Sequence, residues 1–252
     1  MFPYLLRTGS GFIYTFSAVW LVGLLLSAWI VYRRNRNFGR WDGLLAAVVC
    51  ALLLGRFQFV WQNGEWFAEN PAERWNFAQG GFGYAGAVAG ALVGLVIWCW
   101  ITRNKIRPQL VGLIPALPLL YFAGWLACWF DGCGYGAKTF IGWYTAPLPD
   151  NFGLITVRYQ TQLAGMLLAI LVGLMLYLWF RQAPNRFNSP ATFWVAFACL
   201  VAIRAGLYLY QGDSPPLIGS LRSDLAFASA ILVVSLFCLV GEIIYTKGQS
   251  GA

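Results

Sequence analysis

Seven apolar runs, each near the ~20 residues that a helix needs to cross a bilayer, divide this chain. They lie at about residues 12–32, 44–61, 84–101, 110–130, 163–180, 191–210 and 225–245. A backbone in lipid has to satisfy its own hydrogen bonds, so runs of this length are expected to be helices. Composition agrees, with 60% hydrophobic and 10% charged residues, where an ordinary soluble domain carries about 25% charge. The expected fold is an all-α polytopic membrane protein. A single membrane domain, residues 1–252, would hold seven transmembrane helices and a small extracytoplasmic head formed by loops 62–83 and 131–162. Arg7 interrupts the first apolar residues and no small-residue cleavage pattern follows the first run, so no cleavable signal is expected.

The net charge of +8 reads as topology, with no nucleic acid as partner, because the basic residues sit in short loops between spans. The loops after runs one, three, five and seven hold ten of them: Arg33, Arg34, Arg36, Arg40, Arg103, Lys105, Arg107, Arg181, Arg186 and Lys247. The opposite side holds five, Arg7, Arg74, Lys138, Arg158 and Arg222. Cytoplasmic loops are the basic ones, which places the N-terminus outside and the C-terminus in the cytoplasm. Most acids, Asp131, Asp213 and Asp224 among them, then fall on the outer side with the long aromatic loops. Any chemistry is expected there.

A few residues do not suit lipid. Arg56 and Arg204 lie inside apolar runs, where a charge costs at least ~2.5–3.5 kcal/mol on insertion scales. Each either snorkels or pairs with a buried acid or carbonyl, or faces a cavity where its planar fork binds an anionic lipid phosphate. Residues 80–86 are dense in glycine, which lets backbone approach a ligand, and Gly81 and Tyr84 belong to this stretch. Tyr84 reads equally as an interfacial tyrosine. Gly86, Gly90 and Gly94 recur every fourth residue, which suits close helix contact, and Pro115 and Pro118 predict a kink in the fourth run.

That run ends in residues 121–136, YFAGWLACWFDGCGYG. Cys50, Cys99, Cys199 and Cys238 read as small buried hydrophobes. Cys128 and Cys133 alone are close in sequence, and a disulfide between them remains open on an oxidising outer face. A metal site is not expected, since the chain has no histidine and no further cysteine pair nearby. No cofactor is expected either.

Taken in order, GGFGYAGAVAG, AGWLACWFDGCGYG, RYQTQL and an arginine in the sixth run resemble the prolipoprotein diacylglyceryl transferase family. The resemblance spans most of the chain and implies transfer of a diacylglyceryl group from phosphatidylglycerol to the lipobox cysteine thiol of a prolipoprotein, in a bacterial inner membrane. It implies membrane lipid, phosphatidylglycerol and a prolipoprotein precursor as partners. Arg56 resembles the arginine of the family's GGR stretch and Arg204 that of its sixth span; Gly132 and Gly136 match signature glycines, and Gln162 matches PSQL. The expected phospholipid site is therefore Arg56, Arg204, Trp125, Gly81, Gly132, Gly136 and Gln162. Arg204, with Tyr84 or Asp131 as proton acceptor, is the expected catalytic set.

The chain also departs from the pattern. Ala85 stands in place of the histidine of HGG, Trp125 in place of the signature arginine, Cys128 of asparagine, and Cys133 and Tyr208 of glutamates. Cysteines do occur in divergent members of the family. Tryptophan can stack on a cation or a glycerol backbone but cannot neutralise a phosphate. A second expectation follows, a non-catalytic relative that binds phospholipid or lipoprotein precursors.

Overall fold

The computed structural model describes residues 4–8, 11–34, 41–77, 80–150, 153–213 and 215–250. Arg36 and Arg40 of the first basic loop lie outside the described residues. The helices are α1 (Thr15–Arg34), α2 (Trp41–Gln62), α3 (Gly64–Glu69), α4 (Tyr84–Thr102), α5 (Ile106–Leu113), α6 (Ala116–Asp131), α7 (Thr161–Gln182), α8 (Pro184–Phe187), α9 (Pro190–Tyr208) and α10 (Ser223–Ser250). Strands occur only as separate antiparallel hairpins among the described residues: β1 (Tyr4–Thr8) with β2 (Gly11–Tyr14), β3 (Thr145–Pro149) with β4 (Ile155–Tyr159), and β5 (Leu217–Ile218) with β6 (Leu221–Arg222).

Among the described residues, six helices are individually long and apolar enough to cross a membrane, and the bent pair α5–α6 brings the number to seven if it forms one span. The protein is a multi-pass membrane protein. The two halves of the pair meet at 55°, with Ile114 capping α5 and Pro115 opening α6. A proline ring crowds the preceding turn and offers no N–H, so the ladder breaks there. The first helix starts later than the apolar run, because Gly11–Tyr14 pairs with β1 instead. Large apolar side chains such as Leu25, Leu167 and Phe237 are exposed on α1, α7 and α10, as a surface facing lipid requires.

Among the described residues, α2 makes its most extensive helix contact with α4. A Cβ built on Gly86, Gly90 or Gly94 would come within 2.3, 2.2 and 2.4 Å of the carbonyl oxygens of Leu54, Cys50 and Ala46. The four-residue glycine period is thus a contact seam, since only a hydrogen side chain lets the two backbones approach so far.

Two buried clusters fill the bundle. One gathers Leu95, Trp98, Leu110, Ile114, Phe193, Phe197 and Val201; the other gathers Tyr121, Trp125, Met166, Ala169 and Leu200. Arg107, which the sequence places in a basic loop, is on α5, where it pairs with Glu242 of α10 and lies 3.8 Å from the Tyr245 ring centre. The helices α2, α6 and α9 end, and their successors α4, α7 and α10 begin, at the same end of the bundle, where the connections are long.

Candidate functional site

At that end α6 stops in a defined way. Gly132 takes a left-handed conformation (φ 86°) that closes the helix, and its N–H donates to the Cys128 carbonyl at 2.8 Å. Cys128 and Cys133 are joined by a disulfide across this turn. Gln162, in the first turn of α7 and 2% exposed, donates its side-chain amide to the carbonyls of Cys128 (3.1 Å) and Cys133 (2.6 Å). Thr161 Oγ1 donates to Gly134 O at 2.7 Å. A Cβ on Gly136 would lie 2.1 Å from the Tyr159 carbonyl oxygen, so β4 can pass this close only to glycine.

The turn also pairs with the segment after α9. Ala137 N–H donates to Tyr210 O, Gly212 N–H donates to Tyr135 O, and Gly136 bridges Gln211. Gly132, Gly136 and Gln162 therefore shape and hold this backbone, and the amide hydrogens of Gln162 are directed at carbonyls. With six cysteines in the chain and Cys50, Cys99, Cys199 and Cys238 free, alkylation of the denatured protein should label four thiols without reductant and six with it. Six labelled thiols in unreduced protein would contradict the disulfide.

Arg204 projects from α9 into a cage of aromatic rings. Its guanidinium carbon lies 4.2 Å from the Trp125 ring centre, 4.7 Å from that of Tyr208 and 5.0 Å from that of Tyr84. Arg204 has no ion pair among the described residues, and its buried Nε has no hydrogen-bond partner. Three π faces stabilise a cation, but they leave its charge without a counter-ion. Trp125 is 2% exposed and lies across Gly165 of α7, where a Cβ would be 2.3 Å from the indole. The large ring at position 125 is accommodated by the missing side chain at position 165.

Arg56 has a different environment. It is 1% exposed, and its guanidinium is consumed by backbone carbonyls: Nε to Arg74 (2.9 Å), Nη2 to Glu73 (2.6 Å), and Nη1 to Gly80 (2.5 Å) and Gly81 (3.2 Å). Phe59 and Phe67 flank it at 5.5 and 5.3 Å. Gly81, with φ +77° and the Phe59 ring where its Cβ would be, is part of the same clasp. A groove of about 290 Å³ runs past these residues with Asn63 and Trp66. Of the two alternatives left open for a buried arginine, this one takes pairing with carbonyls, which occupies four of its five N–H donors and leaves no bidentate edge for a phosphate.

The structure therefore brings Arg204, Trp125 and Tyr84 together, while Arg56 and Gly81 belong to the loop clasp. Asp131 is exposed at the end of α6 and takes no part in the cage. Sequence reasoning did not pick out Tyr208 as a wall of the cage, Gly165 as the space for Trp125, or Gln211 and Asp213 on the segment beside it. The one available signal was an acid nine residues beyond the arginine of the sixth run.

Comparison with known proteins gives the same family from several sources. A family model described as prolipoprotein diacylglyceryl transferase matches residues 3–243. A phosphatidylglycerol–prolipoprotein diacylglyceryl transferase of Corynebacterium efficiens is 28% identical over 133 residues, 49% of this chain and 41% of that protein. One of Corynebacterium glutamicum is 23% identical over 241 residues, 86% of this chain and 76% of that protein. One of a Wolbachia strain is 25% identical over 149 residues, 56% of each chain. The matched part is thus less than half of the first relative's length and three quarters of the second's. On the family match, which covers nearly the whole sequence, this chain belongs to the prolipoprotein diacylglyceryl transferase family.

Proposed function

We propose that this protein transfers the diacylglyceryl group of phosphatidylglycerol to the lipobox cysteine thiol of a prolipoprotein. The observation that carries the reading is the Arg204 cage: a cation fixed between Trp125, Tyr208 and Tyr84, with no counter-ion among the described residues. A charge held in a bundle at such expense is a functional site by default, and its natural occupant is an anion. Arg204 binds the phosphodiester of the lipid. Trp125 and Tyr208 hold the guanidinium plane and supply flat apolar faces to the glycerol backbone. Arg56 and Gly81 order the loop beside the site, while Gly132, Gly136, Gln162 and the disulfide fix the turn at its edge.

In the reaction the cysteine sulfur attacks the glyceryl carbon that bears the phosphate oxygen. A C–S bond forms, the C–O bond breaks, and glycerol phosphate leaves with the bonding pair. Charge on the phosphate increases along this path, so a preorganised guanidinium stabilises the transition state more than the ground state. The thiol proton has to go to a base, for which Tyr84 and Asp131 are the candidates that the sequence put forward.

The site end faces outward, with the N-terminus outside and the C-terminus in the cytoplasm of a bacterial inner membrane, in keeping with the basic loops at the opposite end. The test is direct. Purified protein in vesicles containing phosphatidylglycerol should add the mass of a diacylglyceryl group to a lipobox peptide, release glycerol phosphate, and spare a peptide with Cys→Ser. Vesicles of phosphatidylethanolamine alone should not support it. No lipidated peptide under any of these conditions would return the protein to the non-catalytic reading. A C-terminal tag cut by protease added outside intact cells would reverse the orientation.

A further inference from the structure

The segment that follows α9 carries polar atoms that the fold leaves without partners. Gln211 is 4% exposed, yet neither its side-chain amide oxygen nor its nitrogen has a hydrogen bond among the described residues. It lies against the cage: a Cβ built on Gly134 would be 3.2 Å from Gln211 Nε2 and 3.2 Å from the Trp125 ring. Two residues on, Oδ1 of Asp213 is buried and also without a partner among the described residues. An unmade buried hydrogen bond costs about 1–3 kcal/mol, and native structures rarely keep several together without a ligand to satisfy them.

The charged and titratable groups around Asp213 come from every neighbouring element: Arg204 on α9, Arg222 on β6, Asp224 on α10, and Tyr135 in the turn after α6. None neutralises it by an ion pair. Arg222 is engaged with Asp224 at 2.9 Å and donates to Gln211 O at 3.2 Å. Arg204 and Asp213 feel one another's charge but are not within 4.0 Å, so the guanidinium stays available to an anion and the carboxylate to a proton. A direct pair between them would close the site. Asp213 is held there by backbone, because the segment before it is stitched to the signature turn through Tyr210, Gln211 and Gly212.

We propose that Asp213 is the general base of this site, taking the thiol proton of the incoming cysteine while Arg204 holds the lipid phosphate. The assignment rests on the transfer reaction proposed above and replaces Tyr84 and Asp131 in that role. The proton moves from sulfur to Asp213, the sulfur electron pair forms the C–S bond, and glycerol phosphate leaves with the C–O pair. Asp213 then returns its proton to solvent or to the departing phosphate. Burial holds its carboxyl above the usual carboxylate range, and Asp224 adds to this, although a hydrogen bond from its own backbone N–H, then Arg204 and Arg222, pull it down. A raised carboxyl is the better base for a thiol of pKa about 8.5. The sign is that of a carboxylate: the base form is lost as pH falls through the raised value, so activity has an acidic limb.

The experiment measures kcat/KM against pH for the full chain in phosphatidylglycerol vesicles with a lipobox peptide, comparing the parent, Asp213→Asn and Asp213→Glu. Asp213→Asn should lose about 10²–10⁴-fold near neutral pH, the usual worth of a general base. It should recover steeply as pH rises through the thiol's own ionisation near pKa ~8.5, where no base is needed. Asp213→Glu should keep the acidic limb at reduced rate. Parent-like rates in Asp213→Asn at neutral pH overturn the assignment, as does a loss equal at every pH, which marks a structural role. An inactive parent brings down the transfer reading itself; an active parent with an unaffected Asp213→Asn removes only Asp213.

Discussion

Replacing Arg204 with alanine is expected to abolish measurable transfer while leaving the protein folded. Loss of a single preorganised donor to a developing oxyanion is worth about 10²–10³ in kcat, and a full charge on a phosphate is worth at least as much. Arg204→Lys should rescue poorly. The cage presents flat faces to a planar guanidinium, and a compact ammonium cannot stack between them in the same way. Stability separates this from damage to the fold. An unpaired charge at bilayer depth costs ~2.5–3.5 kcal/mol on insertion scales. Stacking on aromatic faces returns about 0.5–2 kcal/mol per contact. The two nearly offset, so Arg204→Ala should melt within a few degrees of the parent in detergent. Transfer at the parental rate in Arg204→Ala would leave the proposed phosphate site without support.

Arg56→Met should fail in the opposite way. Four backbone carbonyls, those of Glu73, Arg74, Gly80 and Gly81, lose their donor at once. Unsatisfied buried groups cost about 1–3 kcal/mol apiece, so the clasp loses several kcal/mol even after some carbonyls find water. The expected result is early proteolytic cutting in the segment between α3 and α4 and a lower melting temperature, with activity falling because the loop no longer holds its shape. Affinity for phosphatidylglycerol measured on the intact, uncut fraction should change little, since four of the five parental guanidinium N–H groups are already held by carbonyls. A large loss of lipid affinity with parental stability would instead return Arg56 to the phosphate.

The contrast between these two arginines shows how much a sequence can say. Both sit in apolar runs and both are flagged by the same desolvation argument. The period of Gly86, Gly90 and Gly94 predicted a helix contact and Pro115 a break in the fourth run, because each is a local property of backbone sterics. The fate of a guanidinium is not local. Arg56 is met by carbonyls 17 to 25 residues away in its own loop, and Arg204 by rings from α4, α6 and α9. The two carboxylates diverge for the same reason: Asp131 closes the signature helix and is exposed, whereas Asp213 has a buried oxygen on a segment whose preceding residues pair with residues 135–137.

Trp125 gives the most instructive case. In sequence it is a lost arginine and argues against phosphate chemistry. In the fold it is a wall of the cage around another arginine, seated where Gly165 leaves room. Sequence by itself determined the membrane class, the mostly helical fold, the glycine seam and the family resemblance, because hydropathy, chain stiffness and motif order are all written along the chain. Only the tertiary structure decided which arginine is held by backbone carbonyls and which is caged by aromatic rings, because a buried hydrogen bond or stacked ring depends on partners that neighbouring residues do not name.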